Sequence, residues 1–172
     1  MELTRDDAMA ALWASGVEPG AVDTTDSDSE NVPTRTMVSL AETLYPAVVD
    51  VTADFVETYL TGRVAADDTD RERLIEGAEI LNYWAGLAFG RPFPRLDRSE
   101  RARLLDEDMG VGLEDPVPDG SEIERLRFHT VDEIVFAFYA SPTGKTFASQ
   151  ETALVGTSAR ETYRPGSSGP KR

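Results

Sequence analysis

The chain contains no cysteine, which excludes disulfides, thiol nucleophiles and Cys-ligated zinc or iron–sulfur sites. Histidine occurs once, at His129, so any catalytic triad or imidazole metal site would rest on a single residue. Lysine is nearly missing as well, present only at Lys145 and Lys171. No basic stripe exists to neutralise phosphates, which argues against nucleic-acid binding. No apolar run approaches the ~18 residues of a membrane span. The glycines never form G-x-G-x-x-G or G-x-x-x-x-G-K-[ST]. Pro142-Thr-Gly-Lys-Thr146 echoes only the end of a phosphate loop, and Gly110-Val-Gly112 lacks the rest of a dinucleotide fingerprint. The chain is therefore expected to hold no flavin, nicotinamide or nucleotide of its own.

What is abundant is acid. Asp and Glu number 32 against 17 Lys and Arg, a formal net charge of −15. The acids are spread over every segment rather than gathered in a block, which favours a solvated coat suited to high salt over a patch for one basic partner. Adjacent carboxylates such as Asp67/Asp68/Asp70, Asp106/Glu107/Asp108 and Glu114/Asp115 arise without function in such a chain. General acid–base chemistry needs two carboxylates in different environments. Asp106-x-Asp108-x-Gly110 puts glycine where a calcium loop needs its third ligand. No catalytic residue and no metal ligand is expected. A small enzyme built on His129 and the acids at 106–108 is the weakest of the functional readings.

With 172 residues and 40% hydrophobic content the chain supports one domain with a real core. Residues 1–35 read as a short N-terminal helix or degenerate export leader followed by an acidic linker. The leader outline has one arginine, Arg5, with Asp6 in the second arginine position. Residues 36–145 read as the helical domain. Met37, Leu40, Ala41 and Leu44 begin it, and a pattern from Val48 to Leu60 continues it to Gly62. Thr69 and Glu72 form an expected capping box for a helix with the stripe Leu74, Ile75, Ala78, Leu81, Trp84, Ala85 and Ala88, stopped by Gly90, Pro92 and Pro94. A shorter helix is capped at Asp97 or Ser99. Ser121-Glu-Ile-Glu124 caps the last and longest pattern, which runs to Tyr139. Residues 146–172 read as an irregular tail. The expected fold class is all-α, an irregular bundle of about four or five helices with an acidic N-terminal linker and an irregular C-terminal tail.

The aromatic residues are the stronger functional clue. Phe136, Phe138 and Tyr139 fall on more than one face of the last helix, because positions i and i+2 diverge. One face faces the core, and the other needs cover from the tail or another protein. Phe138, Tyr139, Pro142 and Gly144 are the expected partner-contact region. Tyr83, Trp84, Phe89, Pro92 and Phe93 form a second candidate surface.

Four stretches carry a family likeness: Leu40-Ala-Glu-Thr-Leu-Tyr-Pro46, Val51-Thr-Ala-Asp-Phe-Val-Glu-Thr-Tyr-Leu60, Phe93-Pro-Arg-Leu-Asp-Arg-Ser-Glu-Arg-Ala-Arg-Leu-Leu105, and Tyr139-Ala-Ser-Pro-Thr-Gly144. Glycine-bearing tail segments Leu154-Val-Gly156 and Tyr163-Arg-Pro-Gly166 follow them. In these the chain resembles the gluconate 2-dehydrogenase subunit 3 family, the small (gamma) subunits of FAD-dependent sugar and alcohol dehydrogenases, as a salt-adapted, haloarchaeal-like member. The resemblance implies a non-catalytic accessory subunit. Its partner would be a large FAD-dependent oxidoreductase of the glucose-methanol-choline type, which it helps to fold, assemble or export. FAD would sit in that partner. Location is then cytoplasmic, or outside by co-export with a twin-arginine-bearing partner. The competing reading is a stand-alone helical interaction module of a halophile. If the acid coat is a salt adaptation, helicity followed by circular dichroism will fall as salt drops below molar levels, where the carboxylates repel one another unscreened.

Overall fold

A computed structural model describes residues 1–16, 31–112 and 115–150. The acidic linker and residues 151–172 of the tail lie outside the described residues. The architecture is all-α. It comprises α1 (Arg5–Ala14), α2 (Asn31–Leu44), α3 (Ala53–Ala66), α4 (Asp68–Phe89), α5 (Arg98–Arg103), α6 (Glu122–Leu126) and α7 (Asp132–Ala140). Residues 142–150 add a further helical stretch, α8. Helices therefore outnumber the four or five expected. The N-terminal helix belongs to the body, and a π turn over Arg127–Val131 separates α6 from α7 within one continuous rod.

The N-terminal segment is a core element. Leu3, Ala8, Ala11 and Leu12 are fully buried. Thr4 and Asp7 close a capping box at the start of α1. Ahead of it, Glu2–Leu3 (β1) pairs in parallel with Asp50–Val51 (β2), Glu2 opposite Asp50 and Leu3 opposite Val51. Three contacts tighten this pairing. The Met1 amino group donates to Val48 O at 3.1 Å, Asp50 N–H to Met1 O at 2.6 Å, and the Thr52 hydroxyl to Leu3 O at 2.6 Å. Thr52 also caps α3 by accepting from Phe55 N–H at 3.1 Å. This short ladder is the strand content among the described residues, and the sequence carried no signal for it. Gly62, where the pattern was expected to stop, lies inside α3. A Cβ there would run into the Leu12 side chain, so the glycine is what lets α1 and α3 approach.

The remaining helices follow their caps. At α4 the capping residue is Asp67, which accepts from Thr69 N–H at 2.8 Å; Thr69 does not cap it. Leu74, Ala78, Leu81 and Ala85 form its buried stripe, while Ile75 and Ala88 are exposed and Trp84 is half-buried. Gly90 ends α4 in the left-handed region at φ 67°. Asp97 and Glu100 form the capping box of α5, and Ser121 and Glu124 that of α6.

Polar links at half-buried seams hold the bundle in one arrangement. The buried Arg101 guanidinium donates to Leu96 O at 3.0 Å, to Ser39 O at 2.7 Å and to Glu42 Oε2 at 2.9 Å. These bonds tie α5 to α2. The Asn82 amide donates to Thr36 Oγ1 at 3.1 Å and accepts from Phe93 N–H at 3.0 Å, joining α4, α2 and a 3₁₀ turn at Phe93–Arg95. Midway along α4, a Cβ on Gly77 would meet the Thr130 side chain. This is where the π turn presses against α4. Leu12→Ala is expected to cost about 3 kcal/mol in chemical denaturation, because the methyls removed fill the α1–α3 contact at Gly62.

Candidate docking surface

The end of the last helical rod is shaped by one side chain that points inward. Phe138 is 1% exposed. Its ring lies 4.9 Å from Tyr45 and 5.8 Å from Phe147, centroid to centroid. Tyr45 in turn donates its hydroxyl to Ile134 O at 2.7 Å and meets Phe55 edge-on at 6.4 Å. Burial pushes the Tyr45 phenol well above its ordinary pKa, so it stays a neutral donor. With Ile134, Ala137 and Phe138 turned in, Phe136 and Tyr139 are turned out, 42% and 47% exposed. They stand one turn apart as an i, i+3 pair.

The rod stops at Ser141. Its hydroxyl donates to Phe138 O at 2.6 Å and accepts from Gly144 N–H at 3.0 Å. Ser141 thereby ends α7 and caps α8, with Pro142 at the first helical position. Helix α8 extends through 150, so the Ser-Pro step turns the chain into a new helix where the sequence had been read as passing into an irregular tail from 146. Gly144 is required at this corner, since a Cβ would strike Phe138 O. Asp7 completes the corner from α1. Its Oδ1 accepts from Thr143 N–H at 2.9 Å, and its Oδ2 from Thr4 N–H at 3.1 Å and Thr4 Oγ1 at 2.9 Å. A carboxylate in the first turn of α8 is also favoured by the helix dipole.

Of the four expected contact residues, Phe138 and Gly144 are buried and Tyr139 and Pro142 lie at the surface. Phe138 and Gly144 therefore support the surface from within and do not present themselves to a partner. The second candidate surface divides similarly. Phe93 is fully buried. Trp84 is half-buried and donates to Glu122 Oε1 at 3.0 Å, and Phe89 lies 5.6 Å under the Arg103 guanidinium. Tyr83 is exposed, and so is Leu87, one turn further along α4. Leu87 was not singled out from the sequence; its one signal is that residues 81–90 carry no charge.

His129 sits half-buried in the π turn. Its Nε2 lies 3.1 Å from Pro118 O, and its ring meets Phe128 edge-on at 4.9 Å. It lines a shallow depression of about 120 Å³ with Arg63, Asp70, Arg73, Leu74, Phe128 and Glu133. The charges there pair with one another. Arg63 lies 2.7 Å from Glu133 and 3.2 Å from Asp70, and the Tyr59 hydroxyl donates to Glu133 Oε1 at 2.6 Å. Burial, reinforced by Glu133, raises the Tyr59 pKa. This network staples α3, α4 and α7 together. The acids at 106–108 are exposed on a π turn at Leu104–Asp108. Among the described residues no three His, Asp or Glu side chains group as a metal site, and no helix is long and apolar enough to cross a membrane.

No family model, curated protein or solved structure matches the chain.

Burial works to raise the Asp7 carboxyl, but the hydrogen bonds from Thr143 and Thr4 outweigh it and leave its pKa below the ordinary aspartate value. The ionised form therefore stabilises the fold at neutral pH, and that stabilisation is lost as pH falls through the lowered native value. Asp7→Asn should destabilise by about 1–2 kcal/mol at pH 7, the range of cap and helix-dipole interactions. Urea titrations at a series of pH values should show the gap to wild type closing in acid.

Proposed function

We propose that this chain is a non-catalytic accessory subunit that docks on a larger protein through apolar side chains of its helical body. The observation that carries the reading is the outward pair Phe136 and Tyr139, held in place by the buried Phe138. Large apolar side chains presented on a rigid element are the anchors on which protein interfaces depend. The ionisable cluster around His129 supports the same reading, since its arginines and carboxylates are spent on one another.

The motif resemblance points to the identity of the larger protein: a large FAD-dependent oxidoreductase of the glucose-methanol-choline type acting on a sugar or alcohol. In that complex the flavin and the substrate chemistry belong to the large subunit. This chain contributes to its folding, assembly or export. The complex resides in the cytoplasm, or outside it when the large subunit carries a twin-arginine leader. The acid coat as a whole then marks the salt of the environment.

Purification of the tagged full chain from its native host in molar salt is expected to bring down a flavoprotein in fixed ratio, recognised by its visible flavin absorbance. Tyr139→Glu combined with Phe136→Glu should reduce that recovery at least tenfold, the scale of one lost ~1.4 kcal/mol anchor. Recovery of the chain alone, as a stable monomer, would remove the proposal.

A further inference from the structure

A second exposed apolar feature lies on α4 rather than at the end of α7. Residues 81–90, Leu-Asn-Tyr-Trp-Ala-Gly-Leu-Ala-Phe-Gly, form ten consecutive positions without a charge, in a chain where 28% of residues are charged. Tyr83 and Leu87 stand one turn apart on this part of α4, 62% and 64% exposed. Between them lies Gly86. A glycine in a helix interior is unfavourable relative to alanine, and the other close-packed glycines here each have a reason. Gly62 admits Leu12, Gly77 admits Thr130 and Gly144 admits Phe138 O, whereas a Cβ on Gly86 would meet nothing within 4 Å. Among the described residues nothing uses the missing side chain.

We infer that the Tyr83–Gly86–Leu87 face of α4 receives a helix from a different protein, one with an apolar stripe that continues into basic residues. The slot over Gly86 between two apolar knobs has the shape that ridge-into-groove helix packing fills. Tyr83, Gly86 and Leu87 carry no charge themselves. Toward the N-terminus the same face continues at heptad spacing through Glu79, Glu76 and Glu72, of which Glu72 and Glu79 are exposed and Glu76 pairs with Arg125 at 2.9 Å. The incoming helix therefore meets apolar surface first and carboxylates beyond it, and the fitting sequence places Lys or Arg past its apolar stripe. A second copy of this chain fits poorly. It brings the same net charge of −15 to a face that runs on into the exposed Glu79 and Glu72. The inference deepens the accessory-subunit reading by placing a contact on α4.

The test uses the full chain in its native host with a photo-crosslinking phenylalanine analogue at position 83, and at position 48 as a control. Support is a crosslink from 83 alone to another protein, at a peptide with apolar residues three and four apart followed by Lys or Arg. Gly86→Gln gives the second arm. It replaces glycine with a better helix former in open space, so the melting temperature stays or rises, while recovery of the crosslinked protein drops at least tenfold. A crosslink to this chain's own peptides, no crosslink at 83, or unchanged recovery with Gly86→Gln each overturns the inference. A face-dependent partner without flavin leaves it standing and removes the flavoprotein assignment. A flavoprotein recovered equally well with Gly86→Gln does the reverse.

Discussion

The burial of Phe138 between Tyr45 and Phe147 is the contact on which the arrangement at the end of the last helical rod depends. It sets the rotation of α7, and rotation decides which aromatics meet water. Successive residues on a helix are about 100° apart, so with Ile134, Ala137 and Phe138 turned inward, Phe136 and Tyr139 are turned outward. The lock is two-sided. The Tyr45 hydroxyl bonds the α7 backbone at Ile134 O, which prevents the helix from sliding as well as turning. At the far end, Ser141, Gly144 and Asp7 fold the chain sharply into α8.

The N-terminal segment is bound into this arrangement. Asp7 reaches the first turn of α8, and Leu3 and Leu12 fill the core. Elements far apart in sequence thus share one packing problem, and the glycines mark where it is tightest. Gly62, Gly77 and Gly144 each stand where a neighbouring side chain or carbonyl occupies the place of a Cβ. The interior is finely fitted in this sense, while the surface is dominated by carboxylates. A protein of this type spends its few basic residues on internal links, as Arg101 and Arg63 show.

Much of the fold was legible along the chain. The helical periods of α2, α4 and the last rod, the Gly90 stop, and the caps at Asp97 and Ser121 all rest on interactions within four residues, which local sequence specifies. What was missed is non-local or depends on backbone register. The β1–β2 pairing spans nearly fifty residues. The interior position of Gly62 depends on Leu12, and the shift of cap from Thr69 to Asp67 depends on where the backbone leaves α3. The Ser-Pro step shows the ambiguity most sharply, since a residue that ends one helix is also a good cap for the next.

The candidate contact region was only half legible. The sequence by itself determined that the last helix carries aromatics on two faces and that cysteine and the G-x-G-x-x-G string are missing, because composition and periodicity are properties of the chain. It could not determine which of those faces points inward. That was decided by tertiary packing, where Tyr45 and Phe147 select Phe138 and leave Tyr139 in water. The exposure of Leu87 and the open space left over Gly86 by the described residues were decided in the same way. Whether a helix residue is covered depends on what the rest of the chain brings beside it, and no local pattern encodes that.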